Sequence, residues 1–512
     1  MPSETFISLI QNAFNKFAKR DALRFYRQGK LETCLTFEKL NLDTNQMAHY
    51  FLEQGVKKGD RVILFMDKSL LFVIAHLALQ KIGVICVPLN PGFTPREISY
   101  FLKDASPVMA LSGVEQGRRI QQVNPQLPLI VSDSDIPYHQ VTFFRSCKSD
   151  DLINEPLPSD PGLIIYTSGT TGKPKGAVLT QGNLFHDCQN ILETWAIQSE
   201  DTLCHALPLF HIHGLCFALH TCLAAGAKSV LLNSFDTASV ITVLSNREGQ
   251  DVCTMFMAVP AMYTRLVNKM GETRGRFNHL RLITSGSAPL LIKDFKQLTS
   301  VFGQKPVERE GMSETGMNFS NPVTGTQKPG SIGLPLPSVQ VRVVNPETLT
   351  DVETGQIGEF WLKSPSITPG YWEKPDETRK AFSSGWFRTG DLGYMDQDGY
   401  YYLTDRMKNI IISGGENISP MEVETVINQL DDIAESAVVG IPDDQWGEKV
   451  VAAIVLKNEN RVTEAVIQDH CKANLHRWKC PKQIRFVKAL PKNTMGKILR
   501  DKVSLLFAGT PS

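Results

Sequence analysis

Leu163-Ile164-Ile165-Tyr166-Thr167-Ser168-Gly169-Thr170-Thr171-Gly172-Lys173-Pro174-Lys175-Gly176 joins an apolar run to a loop of small, hydroxyl-bearing and glycine residues flanked by two lysines. The apolar run reads as a buried strand and the loop as its turn. Backbone N–H groups and hydroxyls in such a loop cradle a polyphosphate, and glycines permit the close approach. A Walker A loop has four residues between its first glycine and the Gly-Lys pair. Here Gly169 and Gly172 are separated by two, and Pro174 argues against a following helix. The segment points to nucleotide handling outside the P-loop class.

The same alternation extends outward. Arg61 to Met66 and Gly83 to Pro88 read as strands, Leu71 to Leu79 as an amphipathic helix, and Thr94 to Leu102 as a helix capped by Thr94. Ser229 to Leu232 and Leu280 to Thr284 fit further strands. Strand–helix alternation predicts an α/β fold of stacked layers with a largely parallel sheet. From about residue 320 to 400, short strands at 340–344, 358–362 and 399–403 alternate with Gly, Pro and Asp turns, so a β-rich subdomain is expected. The short charged segment 405–408 precedes a new α/β unit. The expected division is 1–404, a hinge at 405–408, and 409–512.

A chain of 512 residues is too long for one core. Its 53 basic side chains balance 53 acidic ones, so no global field points to nucleic acid. Ten scattered cysteines without a CxxC pair fit reduced thiols of a cytoplasmic enzyme. Neither a signal peptide, a membrane span nor a peroxisomal tripeptide is apparent. Composition leaves the oligomeric state open.

Seven motifs fall in one order: the loop at 166–176, Leu207-Pro-Leu-Phe-His-Ile-His-Gly214, Gly311-Met-Ser-Glu-Thr315, Thr389-Gly-Asp-Leu392, Asp405-Arg-Met-Lys408, Gly414-Gly-Glu-Asn417 and Pro491-Lys-Asn-Thr-Met-Gly-Lys497. Together they resemble the acyl-adenylate-forming superfamily of acyl-CoA synthetases, adenylation domains and luciferases. The resemblance implies a large N-terminal domain of stacked α/β subdomains plus a β-rich subdomain, and a small mobile α/β C-terminal domain. It implies ATP, Mg²⁺ and coenzyme A beside a small carboxylic acid, joined as acyl-AMP and then as a thioester. No fused carrier protein is expected, because the chain ends soon after Lys497.

The resemblance also implies roles. Thr167, Ser168, Gly169, Thr170, Thr171, Gly172 and Lys175 hold the β- and γ-phosphates. Glu314 is the metal ligand, and Ser313 contacts the AMP phosphate. Asp391 accepts from the ribose hydroxyls, Arg406 is a second ribose or phosphate contact, and Lys408 is the hinge residue. Lys497 bridges carboxylate and α-phosphate in the first half-reaction. Gly414 and Gly415 enter for the second, and Trp446 either lines the thiol tunnel or is a packed core aromatic.

The acid is read from a separate stretch. Pro260 opens a helix whose apolar stripe is Tyr263, Leu266, Val267 and Met270, which places Arg265 on the opposite, solvent face. The stretch nevertheless resembles malonyl-CoA synthetases, which implies that Arg265 and Ser287 hold the far carboxylate of a dicarboxylate. His211 is either a pocket wall or a histidine satisfied by a backbone carbonyl. The alternative is an aryl- or medium-chain acyl-CoA ligase of the benzoate type, which the segment Ile411 to Ile418 resembles. Glu310 departs from the pattern, because relatives carry an adenine-stacking aromatic there.

Overall fold

The computed structural model describes residues 4–133, 135–152, 156–167, 173–271, 277–457, 462–493 and 496–508. The chain forms two compact units, Met1–Gln340 with Lys363–Phe387, and Val341–Leu362 with Arg388–Ser512.

The first unit is built on two sheets. One has seven strands in the order Gly370–Tyr371, Lys175–Thr180, Pro161–Thr167, Ile85–Pro88, Arg61–Phe65, Met109–Ser112, Leu129–Val131. Its five strands from Pro161–Thr167 onward pair in parallel, and Lys175–Thr180 pairs antiparallel to Pro161–Thr167. The segment after Pro174 is thus a strand, as the proline demands.

The other sheet has nine strands, with Thr202–His205, Met255–Ala258, Leu282–Ser285 and Val307–Met312 parallel at its centre. These central strands deliver the acyl-side residues at their C-terminal ends, where α/β sheets place ligands.

Helix Leu70–Lys81 corrects one expectation. All twelve of its residues are buried, so it is a central helix rather than an amphipathic one. Its run Leu-Leu-Phe-Val-Ile-Ala-His-Leu-Ala-Leu has no polar face; His76 Nε2 meets His220 Nε2 at 2.8 Å, and Gln80 donates to the Gly162 carbonyl. Thr94 caps helix Pro95–Ala105 through a reciprocal box with Glu97.

In the second unit, strands Gly447–Leu456 and Ile433–Asp443 form the long centre of a sheet that also holds Ile411–Ser413, Glu416–Ile418 and Gln483–Phe486. Helices Pro420–Ile427 and Glu464–Asn474 carry Val423, Ile427, Ile467 and Cys471 into its core. A second five-stranded sheet pairs Trp386–Met395 with Tyr401–Arg406, so Asp391 lies opposite Arg406. Among the described residues no helix is long and apolar enough to cross a membrane.

Candidate active site

Strands Pro161–Thr167 and Lys175–Thr180 bring Thr167 opposite Lys175 at the mouth of the loop. Ser168, Gly169, Thr170, Thr171 and Gly172 lie outside the described residues. Lys175 is buried, its ammonium pairs with Glu377, and it sits 5.3 Å from the centre of the Tyr371 ring.

The buried Glu314 accepts from the Thr167 hydroxyl at 3.2 Å and from the Tyr371 hydroxyl at 3.1 Å. Both bonds fall on Oε1, so Oε2 carries none among the described residues. No group of three metal-binding side chains occurs among them either. A lone carboxylate with a free oxygen suits Mg²⁺, which binds through one or two carboxylates plus phosphate and water oxygens. Ser313 is partly buried beside it.

Arg265 is exposed on the outer face of helix Pro260–Met270. Its guanidinium lies 4.9 Å from the Phe235 ring, and its charge acts on Asp236. No contact joins it to Ser287 among the described residues. This is the outward face that the helix periodicity predicts for Arg265.

A cation beside Gly286 is Arg309, on strand Val307–Met312. It is 3% exposed, and its Nε and Nη2 have no hydrogen-bond partner among the described residues. Burial pulls it down to about 10, against the raising influence of Glu310 and Asp187. A Cβ at Gly286 would lie 2.6 Å from Arg309 Cζ, so only glycine lets the guanidinium sit against that turn. The face of Phe217 covers it at 5.2 Å.

Ser287 has a positive φ of 70°, a conformation that costs a non-glycine residue about 1–2 kcal/mol. Its hydroxyl stands 3.4 Å from His213 Nδ1. A serine kept in this geometry marks a position where the hydroxyl matters more than the backbone.

His213 is buried with Nε2 unpartnered, and burial, reinforced by Arg309, drives it well below its usual range, so it is neutral. It opens a π-helical segment, His213–His220, a geometry frequent at functional sites. Gly214 makes that opening possible, since a Cβ there would lie 2.1 Å from the Pro208 carbonyl. The partly buried His211 is held down to about 4 by burial, and its Nε2 has no partner among the described residues. The carbonyl-satisfied histidine is instead His205, whose Nε2 is 2.8 Å from the Gly214 oxygen.

Arg309 and His213 were missed by sequence reasoning. Val307-Glu308-Arg309-Glu310 places three consecutive charges in a strand that pairs in parallel at the sheet centre, where apolar runs are the rule. That conflict was the available signal. Glu310 itself accepts from Asn318 at 3.0 Å, which ties its carboxylate to the adjoining strand.

In the second unit, Asp391 is buried and pairs with Arg406 at 2.7 Å. Burial raises its carboxyl, while Arg406, Lys497 and Lys408 pull it back. The fold therefore gathers Asp391, Arg406, Lys497 and Lys408 into one electrostatic cluster. Lys497 is exposed on a tight turn closed by Asn493, whose side chain accepts its N–H at 2.9 Å. The intervening Thr494 and Met495 are outside the described residues. Lys408 is exposed on the 3₁₀ turn Met407–Asn409.

Gly414 and Gly415 are exposed, and the Gly414 N–H donates to the Trp446 carbonyl at 2.8 Å. Trp446 is 40% exposed, which rules out the packed-core reading.

The comparisons with known proteins agree with this architecture. The AMP-binding enzyme model matches residues 10–372, and the AMP-binding enzyme C-terminal domain matches 422–497. An oxalate–CoA ligase of Arabidopsis thaliana is 33% identical over 100% of both chains. A long-chain-fatty-acid–CoA ligase of Bacillus subtilis is 31% identical over 98% of this chain and 94% of its own. The mitochondrial malonate–CoA ligase of Bos taurus is 33% identical over 88% and 82%. The crystal structure of ATP-bound MatB from Rhodopseudomonas palustris superposes with a TM-score of 0.92 at 31% identity, covering 98% of this chain and 99% of its own.

The chain belongs to the AMP-binding enzyme family. It is an AMP-forming acyl-CoA ligase that uses ATP and coenzyme A.

Proposed function

We propose that the chain joins malonate, or another short acid with a second anionic group, to coenzyme A. The observation that carries this reading is the buried guanidinium of Arg309 beside Gly286, whose Nε and Nη2 lack hydrogen-bond partners among the described residues. A buried charge without a partner is costly. An acid that keeps one carboxylate after activation supplies the partner, and a guanidinium binds it bidentately. The relatives acting on oxalate and malonate support the same class.

In the first half-reaction a substrate carboxylate oxygen attacks the α-phosphorus of ATP. The bond from that phosphorus to the bridging oxygen breaks, and pyrophosphate leaves. Thr167, Ser168 to Gly172 and Lys175 hold the departing phosphates. Lys497 neutralises charge developing between carboxylate and α-phosphate. Glu314 would hold Mg²⁺, which when bound neutralises phosphate oxygens. Ser313 holds the AMP phosphate, while Asp391 and Arg406 fix the ribose.

In the second half-reaction the coenzyme A thiolate attacks the acyl carbon and AMP departs. The Gly414–Gly415 turn and Trp446 serve this step, with 405–408 as the hinge between the 1–404 and 409–512 domains and Lys408 as its pivot. Arg309 and Ser287 hold the far carboxylate through both steps, with His211 and His213 as neutral walls.

The test is AMP release with coenzyme A over a panel of malonate, methylmalonate, oxalate, succinate, benzoate and hexanoate. Malonate-class acids are expected to lead by at least tenfold in kcat/KM. The exposed Arg265 and the fatty-acid relative favour a second reading, an apolar acid. Preference for benzoate or hexanoate would establish that reading instead.

A further inference from the structure

Beside the exit of the phosphate loop, the first unit carries a cavity of about 760 Å³. Five cations line it, Arg61, Lys103, Lys173, Lys175 and Lys374, against three acids, Asp104, Glu373 and Glu377. Most of this charge is already engaged. Arg61 donates to the Ala105 carbonyl at 3.0 Å and the Ser106 carbonyl at 2.6 Å, and lies 5.4 Å from the Trp372 ring. Lys374 meets Asp104 at 2.5 Å, and Lys175 meets Glu377. Lys103 and Lys173 are exposed, with no ion pair among the described residues. The cavity thus has walls tied by internal bonds and two uncommitted ammonium groups.

Its position connects it to the chemistry. The Tyr100 hydroxyl donates to the Pro174 carbonyl at 2.6 Å, which pins the loop's exit to helix Pro95–Ala105. Lys175 lies between the cavity and Tyr371, and the Tyr371 hydroxyl bonds Glu314. Tyr371, Lys175 and Thr167, which bonds Glu314 and pairs with Lys175, therefore link that carboxylate to the cavity. A cradle that grips a polyphosphate tightly retains its product unless other cations share the charge, and product release limits many enzymes.

We propose that this cavity binds the inorganic pyrophosphate released by adenylation on its way out, with Lys175 exchanging Glu377 for the departing anion. The proposal rests on the reading of 167–175 as the phosphate grip. Ammonium groups suit the task because they act as point charges that follow a flexible anion. Glu377 is the counter-carboxylate: it holds Lys175 while the anion is away and repels the anion once Lys175 returns.

The test uses the full chain saturated with α,β-methylene-ATP, whose uncleavable phosphate chain fills the loop. Pyrophosphate is then titrated by calorimetry. One further pyrophosphate per chain is expected. Lys103→Glu should lower its affinity, relative to that of the analogue, at least tenfold, and Glu377→Gln should raise it at least threefold. Absence of the second binding event, or indifference to Lys103→Glu, would overturn the site. Weaker binding in Glu377→Gln would overturn the exchange at Lys175. Coenzyme A displacing the bound pyrophosphate with equal strength would overturn the assignment to the product. The titration needs no carboxylate, so its outcome is separate from the question of which acid is activated.

Discussion

At Gly286 the guanidinium of Arg309 is buried with two nitrogens lacking hydrogen-bond partners among the described residues, whereas at the exit of the phosphate loop Lys175 and Lys374 each face a carboxylate. Both regions are basic and lie in one unit. The first leaves its charge for a ligand to complete, which suits a grip on one acid throughout the reaction. The second pairs Lys175 and Lys374 with carboxylates and leaves Lys103 and Lys173 exposed without an ion pair among the described residues, which suits an anion that must leave. Desolvation accounts for the difference: an unpaired charge is cheap where water reaches it and costly where water does not.

Removing Arg309 breaks this contrast most strongly. Truncating one partner of a buried, hydrogen-bonded charge pair costs about 2–5 kcal/mol. Arg309→Ala should therefore lower kcat/KM for malonate roughly thirty- to several-thousand-fold. Hexanoate, which has no charge to pair, should lose little or gain. A uniform loss across both acids in the AMP-release assay would show that Arg309 supports the fold rather than selecting the acid.

Ser287→Gly separates strain from recognition. Glycine relieves a positive φ worth about 1–2 kcal/mol, so the urea midpoint should rise. The lost hydroxyl should cost the malonate reaction about 1.5–3 kcal/mol if it bonds the charged group, roughly ten- to a hundredfold. Higher stability with unchanged malonate turnover would detach Ser287 from the substrate.

The strand–helix order, the capped helix at Thr94 and the non-helical exit of the phosphate loop were legible because local residue types dictate them. Asp391 and Arg406 were legible as motif members, and the cross-strand register explains why they meet. Helix Leu70–Lys81 was misread because a short apolar run looks alike whether one face or all faces are buried. Arg309 was invisible to periodicity. Its significance arises from what a parallel sheet buries and from the missing side chain at Gly286, and both are tertiary facts.

A third prediction concerns a buried acid that feels this pocket's charge. Burial raises the Asp187 carboxyl to about 7, although it accepts the Met317 N–H at 2.8 Å and feels Arg309. The folded chain thus keeps a proton that the unfolded chain loses from about pH 4 upward. Stability should fall as pH rises from about 4 to 7, at a slope approaching about 1.4 kcal/mol per pH unit, and the penalty should persist above 7. Asp187→Asn keeps an acceptor for Met317 and removes the ionisation, so its urea midpoint should drop less between pH 5 and 8. Identical slopes would mean that Asp187 does not titrate in that window. Glu308, also raised to about 7 by burial, would then be the group to replace.

Arg265→Ala carries the smallest expected effect and sharpens the contrast between two arginines of one unit. Arg265 is exposed and rests on Phe235, an arrangement worth about 0.5–1 kcal/mol at an exposed site. Its loss should lower stability slightly and change malonate kcat/KM less than threefold. The reason is geometric: a guanidinium already in water gives up hydration to bind a carboxylate, whereas the desolvation of Arg309 is already part of the fold. A malonate defect as deep as that of Arg309→Ala would mean that Arg265 leaves Phe235 to meet the substrate. The acid would then be held by two guanidiniums, one preset and one recruited, and selectivity would depend on the turning of helix Pro260–Met270's outer face as well as on the buried pocket.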